Sequence, residues 1–479
     1  MVIALDLGTS SARATLYDRN GHAVPERFHQ VTYEPTLTHD GGVEHDPTVL
    51  LDAVAACLDA VTRASRHDDI QAVGVTTFWH GLLGFDAARR PVTPIFTWAD
   101  SRSAPDAALL RGALDDATLH GRTGCHLHSS YWPAKLRWLA RERPADVQRV
   151  ASWGSIGEHL ELALFGETAT SVSMASGTGL LDQETVRWDA EALAAAGIEP
   201  EHLFPLAQAG GRRGLRTPWS GRWPSLRGVP WFPAVGDGAA SNIGSNCLTP
   251  SRIALNVGTS AAMRLVTVDR GTAPSGLWRY RVDRRRALVG GATSEGGNVY
   301  AWCHDVLQLP PAAEIERVLA ERVPDSHGLT LLPFLAGERA PGWRGDRRAA
   351  ITGLSLSTTG LDILHAGMEA VTLRLMLIDK RLAPLATPDH LLVASGGAVA
   401  RSRAWTRMLA DGLGRPIHWS PESEATSRGA ALLALEALGV TPDLAAAAAP
   451  LGEVFTPDAA RHARYLAALE RHQRLDERV

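Results

Sequence analysis

Two short runs of this chain set hydroxyls and backbone amides where a polyphosphate could meet them, and they stand 250 residues apart. Asp6-Leu7-Gly8-Thr9-Ser10-Ser11-Ala12-Arg13 is echoed by Asn256-Val257-Gly258-Thr259-Ser260-Ala261-Ala262. Each joins two apolar stretches through a Gly-Thr-Ser turn. Glycine lets a ligand come close where a Cβ would block it. The amides and hydroxyls that follow can bind phosphate oxygens, as other backbone nests do. A single such turn is also ordinary hairpin chemistry. Two of them in two half-chains point to related lobes gripping one nucleotide from opposite sides, and so to an ATP-using enzyme. Asp6, at a strand end beside the first turn, is placed to hold hydrated Mg²⁺, which keeps most of its waters. Arg13 adds a charge-assisted contact to phosphate.

Gly236-Asp237-Gly238-Ala239-Ala240 puts one carboxylate among small neighbours after an apolar strand. A substrate hydroxyl can approach it and surrender its proton as phosphoryl transfer proceeds. A turn or helix-cap aspartate fits the same residues. Ser395-Gly396-Gly397-Ala398 suits an adenine or ribose resting on exposed backbone, and equally a tight strand-to-helix turn. His80, after Phe78-Trp79, is either a contact to a polar substrate or a structural histidine. Trp98-Ala99-Asp100-Ser101-Arg102 has the aromatic, acid and base that polyhydroxylated ligands favour, with an Asp100 helix cap paired to Arg102 as the plain alternative. Cys125-His126-Leu127-His128 carries metal-ligand residue types, but no second cluster completes a zinc site.

The elements that must position these residues follow from pattern. Strands are expected at 2–7 and 13–18, 70–76 and 81–85, then 253–257, 263–268, 287–289 and 391–394. A helix follows Asp46-Pro47, with Asp as cap and Pro in the first turn, and its stripe is Val49, Leu50, Val54, Leu58 and Val61. Further helices are expected over 133–141, 156–164 (interrupted by Gly157), 362–382, 403–413 and 458–475. Residues 210–233 read as loop, and 445–449 as a helix end stopped by Pro450. This is an α/β pattern. The 479 residues suit two domains, divided here as 1–243 and 244–479.

Composition removes several functions. The net charge of −4 leaves no footprint for nucleic acid or an anionic membrane. No leader or long apolar run is legible, so a cytoplasmic protein without membrane association is expected. Four scattered cysteines, Cys57, Cys125, Cys247 and Cys303, fit reduced thiols. Of the 48 lysines and arginines only Lys135 and Lys380 are lysines, and neither follows glycine, which excludes a GxxxxGK[ST] phosphate loop.

In order along the chain, Asp6 to Ser11, Val43-Glu44-His45-Asp46-Pro47, Trp98 to Arg102, Ser173-Met174-Ala175-Ser176-Gly177-Thr178, Gly236 to Ala240, Asn256 to Ser260, Gly396-Gly397 and Thr426-Ser427-Arg428-Gly429-Ala430-Ala431 resemble the motifs of the FGGY carbohydrate kinases, within the actin/Hsp70/sugar-kinase superfamily. The resemblance implies two ribonuclease-H-like lobes of the actin-like ATPase fold, with ATP, Mg²⁺ and a small carbohydrate meeting in the cleft between them. It implies Asp237 as catalytic base and Asp6 as a metal ligand through water. It also implies phosphate grips at Gly8, Thr9, Ser10 and Ser11 with Arg13 and at Gly258, Thr259 and Ser260, an adenosine contact at Gly396 and Gly397, and sugar-side residues Trp79, His80, Asp100 and Arg102.

Within the family, Thr123 to His128 with Lys135-Leu136-Arg137-Trp138-Leu139, and Leu332 to Trp343, look most like gluconate kinases. Lys135 is either a cation for an aldonate carboxylate or a helix-surface lysine. Three departures stand out. Ser129-Ser130-Tyr131-Trp132 replaces the usual Pro-Met-Ser-Pro. Ile156-Gly157-Glu158-His159 replaces Ile-Lys-Glu-Tyr and so lacks a lysine. Ser171 stands where an acid is usual. D-Gluconate is the first expected substrate, with xylulose or another ketose or polyol next. An actin- or Hsp70-like ATPase switch and a sugar-sensing pseudokinase are the readings from other classes. The sequence leaves the assembly state open, a homodimer included.

Overall fold

The computed structural model describes residues 1–208 and 210–479. Its first sheet contains β1 (Val2–Leu7), β2 (Ser11–Tyr17), β3 (Ala23–Thr32), β4 (Ala72–Thr77) and β5 (Val235–Gly236), in the order β5-β4-β1-β2-β3. β1 is buried along its whole length, because it pairs antiparallel to β2 and parallel to β4 and is covered on both faces. The second sheet contains β6 (Arg252–Val257), β7 (Ala261–Thr267), β8 (Trp278–Arg281), β9 (Ala287–Thr293), β10 (Leu391–Ser395), β11 (Ile417–Trp419) and β12 (Val454–Phe455), in the order β8-β9-β7-β6-β10-β11-β12.

Three antiparallel strands followed by parallel ones recur in both sheets: β3-β2-β1-β4-β5 in one, β9-β7-β6-β10-β11 in the other. This is the doubled ribonuclease-H-like plan that the family resemblance implied, with β8 and β12 added at the edges of the second sheet.

Helix α1 (Pro47–Ala64) begins as its sequence predicts, with the Asp46 carboxylate accepting from the Thr48 amide at 2.7 Å. Leu50, Val54, Leu58 and Val61 are buried, but Val49 is 48% exposed, one step off the packed face. Two helices fasten the lobes together. α2 (Asp237–Gly244) follows β5, and α3 (Ala425–Ala437), which lies between β11 and β12 of the second sheet in the chain, packs on β1 and β4 of the first. They cross where both lack side chains. A Cβ on Gly244 would fall 1.8 Å from the Ala425 carbonyl oxygen, and one on Gly429 1.8 Å from that of Ala240. Arg428 is buried at the crossing and donates to the carbonyls of Gly21 at 3.0 Å, Ala447 at 2.9 Å and Gly244.

Three expectations change. The helix Ile156–Phe165 runs through Gly157, because Ser155 and Glu158 form a capping box around its first turn and glycine there costs little. Residues 210–233 include helical turns at Trp219–Arg222 and Pro224–Leu226, held by stacking of Trp219 on Trp223 at 5.0 Å. Before Pro450 there is only the 3₁₀ turn Leu444–Ala446, not a helix end. All four cysteines are free and buried. Among the described residues no helix is long and apolar enough to cross a membrane.

Candidate active site

The two Gly-Thr-Ser turns are equivalent in place and differ by one residue in size. Leu7 pairs with Ala12, whereas Val257 pairs with Ala261. Each spends its glycine amide on closing itself, Gly8 onto the Ser11 carbonyl and Gly258 onto that of Ser260, both at 2.9 Å. Their carbonyls are tied back into the lobes. The Gly8 carbonyl accepts from the Tyr33 hydroxyl at 2.7 Å, that of Gly258 from the Gly297 amide at 2.7 Å, and that of Thr259 from the Asn298 amide at 3.1 Å. The amides of Thr9, Ser10, Thr259 and Ser260 find no partner among the described residues. Each turn is therefore a rigid loop presenting unspent donors, as an anion grip requires.

The turns face each other across a cleft of about 270 Å³ lined by Thr9, Gly258, Thr259, Ser260, Asp237, Trp79 and His80. Asp237 opens α2 directly after β5, which pairs in parallel with the end of β4, so strand ends deliver both Asp237 and the Trp79-His80 segment to the same edge. Burial pushes the Asp237 carboxyl above the ordinary range, opposed by the Arg264 guanidinium and by the amides of Gly238 and Trp79. Asp6 is 5% exposed, accepts no hydrogen bond among the described residues, and has Arg13 as its nearest cation at 3.7 Å. Burial raises it to about 7, with Arg13 opposing and the Asp237 charge adding to the rise.

His80 is held in a left-handed backbone (φ 68°) with Nδ1 2.5 Å from the Gly177 carbonyl. A carbonyl partner fixes the proton on Nδ1 and leaves Nε2 as an acceptor. Burial lowers its pKa to about 3, so the ring is neutral. The Trp79 indole donates to the Ser173 carbonyl at 2.9 Å and lies against Tyr280, centroids 4.8 Å apart.

Other expected residues lie elsewhere. Arg13 bridges Asp6 and Glu424, at 3.7 and 3.5 Å. Asp100 and Arg102 do not line the cleft. The Arg102 guanidinium pairs with Asp100 and Glu44, both at 2.5 Å, and stacks on Trp138 at 4.4 Å. The helix beyond has Ser103, not Asp100, at its N-cap position, and the Ser103 side chain makes no capping bond, its hydroxyl donating to the Ser129 carbonyl at 3.2 Å instead. Lys135 is no surface lysine. It is 2% exposed and donates to the carbonyls of Ser129 and Ser130 at 2.8 and 2.6 Å, and burial lowers its pKa to about 7. Gly396, at φ 104°, lets β10 turn past the Val257 carbonyl oxygen, which a Cβ would approach to 2.5 Å. With Gly397 it leads into a second cavity of about 260 Å³ with Ala398, Tyr300, Ile315 and Trp405 in its walls.

Of the expected Trp98 to Arg102 cluster only Trp98 lines the cleft, and sequence reasoning missed the cleft's cations and the rest of its aromatic wall: Arg264, Arg339, Trp278 and Tyr280. Arg339 stood beside Glu338 in a motif already noted. Glu338 is consumed by Arg374 and by Arg344 at 2.7 Å, while Arg339 makes no ion pair among the described residues and sits 5.2 Å above the Trp98 ring. Pairing, invisible in sequence, decides which of the two neighbours faces ligand. Among the described residues His327, His365 and Glu369 are the one cluster of metal-ligating types. His327 Nδ1 accepts from the Leu329 amide at 3.0 Å, so its Nε2 carries the proton it gives to Glu369 and is not free for a metal. Around Cys125 no such cluster forms; His126 pairs with Asp116 at 2.7 Å.

Residues 1–244 match the N-terminal domain of the FGGY family of carbohydrate kinases, and residues 253–438 match the C-terminal domain of that family. The chain belongs to the FGGY family of carbohydrate kinases. It is 28% identical over 486 residues to a gluconokinase of Bacillus subtilis strain 168, covering 97% of this chain and 94% of that one. In three dimensions it is similar to a ligand-bound xylulose kinase from Lactobacillus acidophilus (TM-score 0.91, 27% identity, 99% of this chain and 97% of that one). It is equally similar to a gluconate kinase from the same organism (TM-score 0.91, 26% identity, the same coverage). The two lobes thus have the actin-like ATPase fold, and the protein is a carbohydrate kinase.

Proposed function

We propose that this kinase transfers the γ-phosphoryl group of ATP to a primary hydroxyl of D-gluconate, giving 6-phosphogluconate and ADP in the cytoplasm. The observation that carries the reading is the placement of Asp237 in a cleft that also holds two open phosphate turns and two arginines, Arg264 and Arg339, that have no carboxylate ion pair among the described residues. Asp237 accepts the proton of the attacking hydroxyl as its oxygen bonds to the γ-phosphorus and the bond to the ADP oxygen breaks. The amides of Thr9, Ser10, Thr259 and Ser260 and their hydroxyls hold the phosphates in line. Such positioning and charge neutralisation, rather than covalent chemistry, drive phosphoryl transfer. Gly396 and Gly397 receive the adenosine at the mouth of the second cavity.

Asp6 fits a Mg²⁺ held through water: its carboxylate is buried without hydrogen bonds and shares a field with Asp237, so a cation relieves both. When bound, the ion neutralises charge on the phosphates. On the carbohydrate side, neutral His80 accepts a hydroxyl hydrogen bond at Nε2, and Trp79 offers an apolar face. Arg339 and Arg264 meet the carboxylate of an aldonate, a task the lysine absent at Gly157 cannot perform. A Cβ there would already stand 3.1 Å from that of Ala234. Asp100 and Arg102 contribute by fixing the wall behind the site. The domain division at residues 243 and 244 places the base at the start of the helix that joins the lobes.

The test is ADP release measured against a panel of aldonates, ketoses and polyols. Selective turnover of gluconate supports the assignment. Selective turnover of xylulose or another ketose would keep the kinase and discard gluconate. ATP binding without turnover on any member would favour a sensing role.

A further inference from the structure

Strand β8 has two faces with different occupants. Trp278 and Tyr280 point into the carbohydrate cleft. Arg279 and Arg281, alternating with them, line a separate cavity of about 470 Å³ between β8 and the helix Asp116–Thr123. Both arginines are almost wholly enclosed, 6% and 8% exposed. Neither has a carboxylate within ion-pair distance among the described residues. Arg281 gives Nε, at 3.0 Å, and Nη2 to the Gln183 carbonyl, and Arg279 gives one Nη2 bond to the Asp269 carbonyl. A guanidinium has five N–H donors, so most of this hydrogen-bonding capacity is unspent. Buried cations are ordinarily paired, because a charge taken out of water without a partner is disfavoured.

The neighbouring acids do not neutralise the pair. Asp182 Oδ1 is taken by the amides of Glu184 and Thr185 at 2.9 and 3.0 Å, and the Glu184 side chain is exposed at the rim. Arg122 is already paired with Asp189 and Glu191, both at 2.6 Å. Exposed Arg270 adds a further positive charge at the mouth. Burial pulls both guanidinium pKa values down, aided at Arg279 by the Arg281 charge and at Arg281 by that of Arg270; the Asp269 and Asp283 carboxylates oppose the fall only in part, and an anion in the cavity would reverse it.

We infer that this cavity is a binding site for a phosphate-bearing small molecule, with Arg279 and Arg281 as its buried ligands and Arg270 at its entrance. Planar guanidinium forks suit phosphate oxygens. The volume exceeds that of the catalytic cleft and leaves room for more than the phosphate itself. Because the same strand walls the carbohydrate cleft on its other face, occupancy of one cavity bears on the other through Tyr280, whose hydroxyl meets that of Tyr131 at 2.6 Å. The inference is independent of which carbohydrate the kinase uses.

The experiment is isothermal titration of the full-length protein with inorganic phosphate and, separately, glucose 6-phosphate. A saturating non-hydrolysable ATP analogue and carbohydrate substrate keep the catalytic cleft filled. Saturable binding to the wild type is expected, weakened about tenfold or more by Arg281→Gln. Arg270→Gln, a surface change, should weaken it about two- to fivefold. Tighter binding of the sugar phosphate identifies a phosphorylated metabolite, and equal binding identifies phosphate itself. Absence of saturable binding of both titrants to the wild type overturns the inference, and so does wild-type affinity in Arg281→Gln. If Arg281→Gln does not fold, unchanged affinity in Arg270→Gln overturns it.

Discussion

Replacing Asp6 by Asn should make the ligand-free protein more stable at neutral and alkaline pH while removing its activity. Asp6 is buried, accepts no hydrogen bond among the described residues, and releases its proton only near pH 7 because burial disfavours the charge. In the unfolded chain an aspartate ionises near pH 4. Between those values the unfolded state binds fewer protons than the folded one, so wild-type stability falls as pH rises from about 4 to 7 and is level above. The full cost at pH 8 relative to pH 3 is at most about 4 kcal/mol. An asparagine amide left without partners in the same place takes back roughly 1 kcal/mol of that gain. A net gain of at most about 3 kcal/mol would raise the melting midpoint of a lobe of this size by up to about 6–12 °C. The assay is thermal unfolding of both proteins from pH 4 to 9, without and with Mg-ATP. The wild type should lose midpoint with rising pH more steeply than the variant, and Mg-ATP should close the gap at pH 8. Parallel curves, or a variant less stable at every pH, would refute the claim that Asp6 is a cation-seeking carboxylate.

Arg339→Gln should lower kcat/KM for an aldonate by about 10- to 100-fold, the worth of one charge-assisted contact, and much less for an uncharged polyol; equal losses on both would remove Arg339 from carboxylate recognition. Gly429→Ala sets a Cβ against the Ala240 backbone, where no side chain can yield, and should cost at least about 2 kcal/mol in a denaturant titration; an unchanged midpoint would mean the helix crossing is looser than described. Lys135→Met removes a buried ammonium and two hydrogen bonds to carbonyls. Burial lowers its folded pKa to about 7, so its charged form is disfavoured in the fold and wild-type stability should rise between about pH 7 and 10. The variant should lose that rise, and thermal unfolding across the range would show it.

The parts of the molecule set by local pattern were legible. The doubled hairpin, the apolar β1, the Asp46-Pro47 helix start and the long central helix (Gly360–Leu382) follow from alternation, periodicity and capping. Asp6, Thr9 and Thr259 travel with those turns, whereas Asp237 read equally as a helix-cap aspartate and took its expected role from the resemblance alone. What sequence could not show is which charges neutralise each other across long separations. Asp100 and Arg102 carried the residue types of a ligand site but are satisfied by each other and by Glu44. Arg264 and Arg339 looked unremarkable among 46 arginines, yet both line the cleft, Arg339 because Arg344 and Arg374 occupy the neighbouring Glu338 and Arg264 because it lies in the field of Asp237. Gly157 misled through propensity alone, since a capping box outweighs one glycine in a first turn. Ser171, where an acid was expected, caps the short helix Val172–Ser176 and donates to the Ala234 carbonyl at 2.5 Å.

The central claim is that Asp237 removes the proton from the carbohydrate hydroxyl as phosphate arrives. It is tested most directly by Asp237→Asn, an isosteric change, measured for kcat on the preferred carbohydrate and, by calorimetry, for binding of that carbohydrate and of ATP. Loss of a positioned general base predicts a fall in kcat of about 10²- to 10⁴-fold with both affinities within about threefold of wild type. Turnover near the wild-type rate in a variant that still binds both substrates would contradict it.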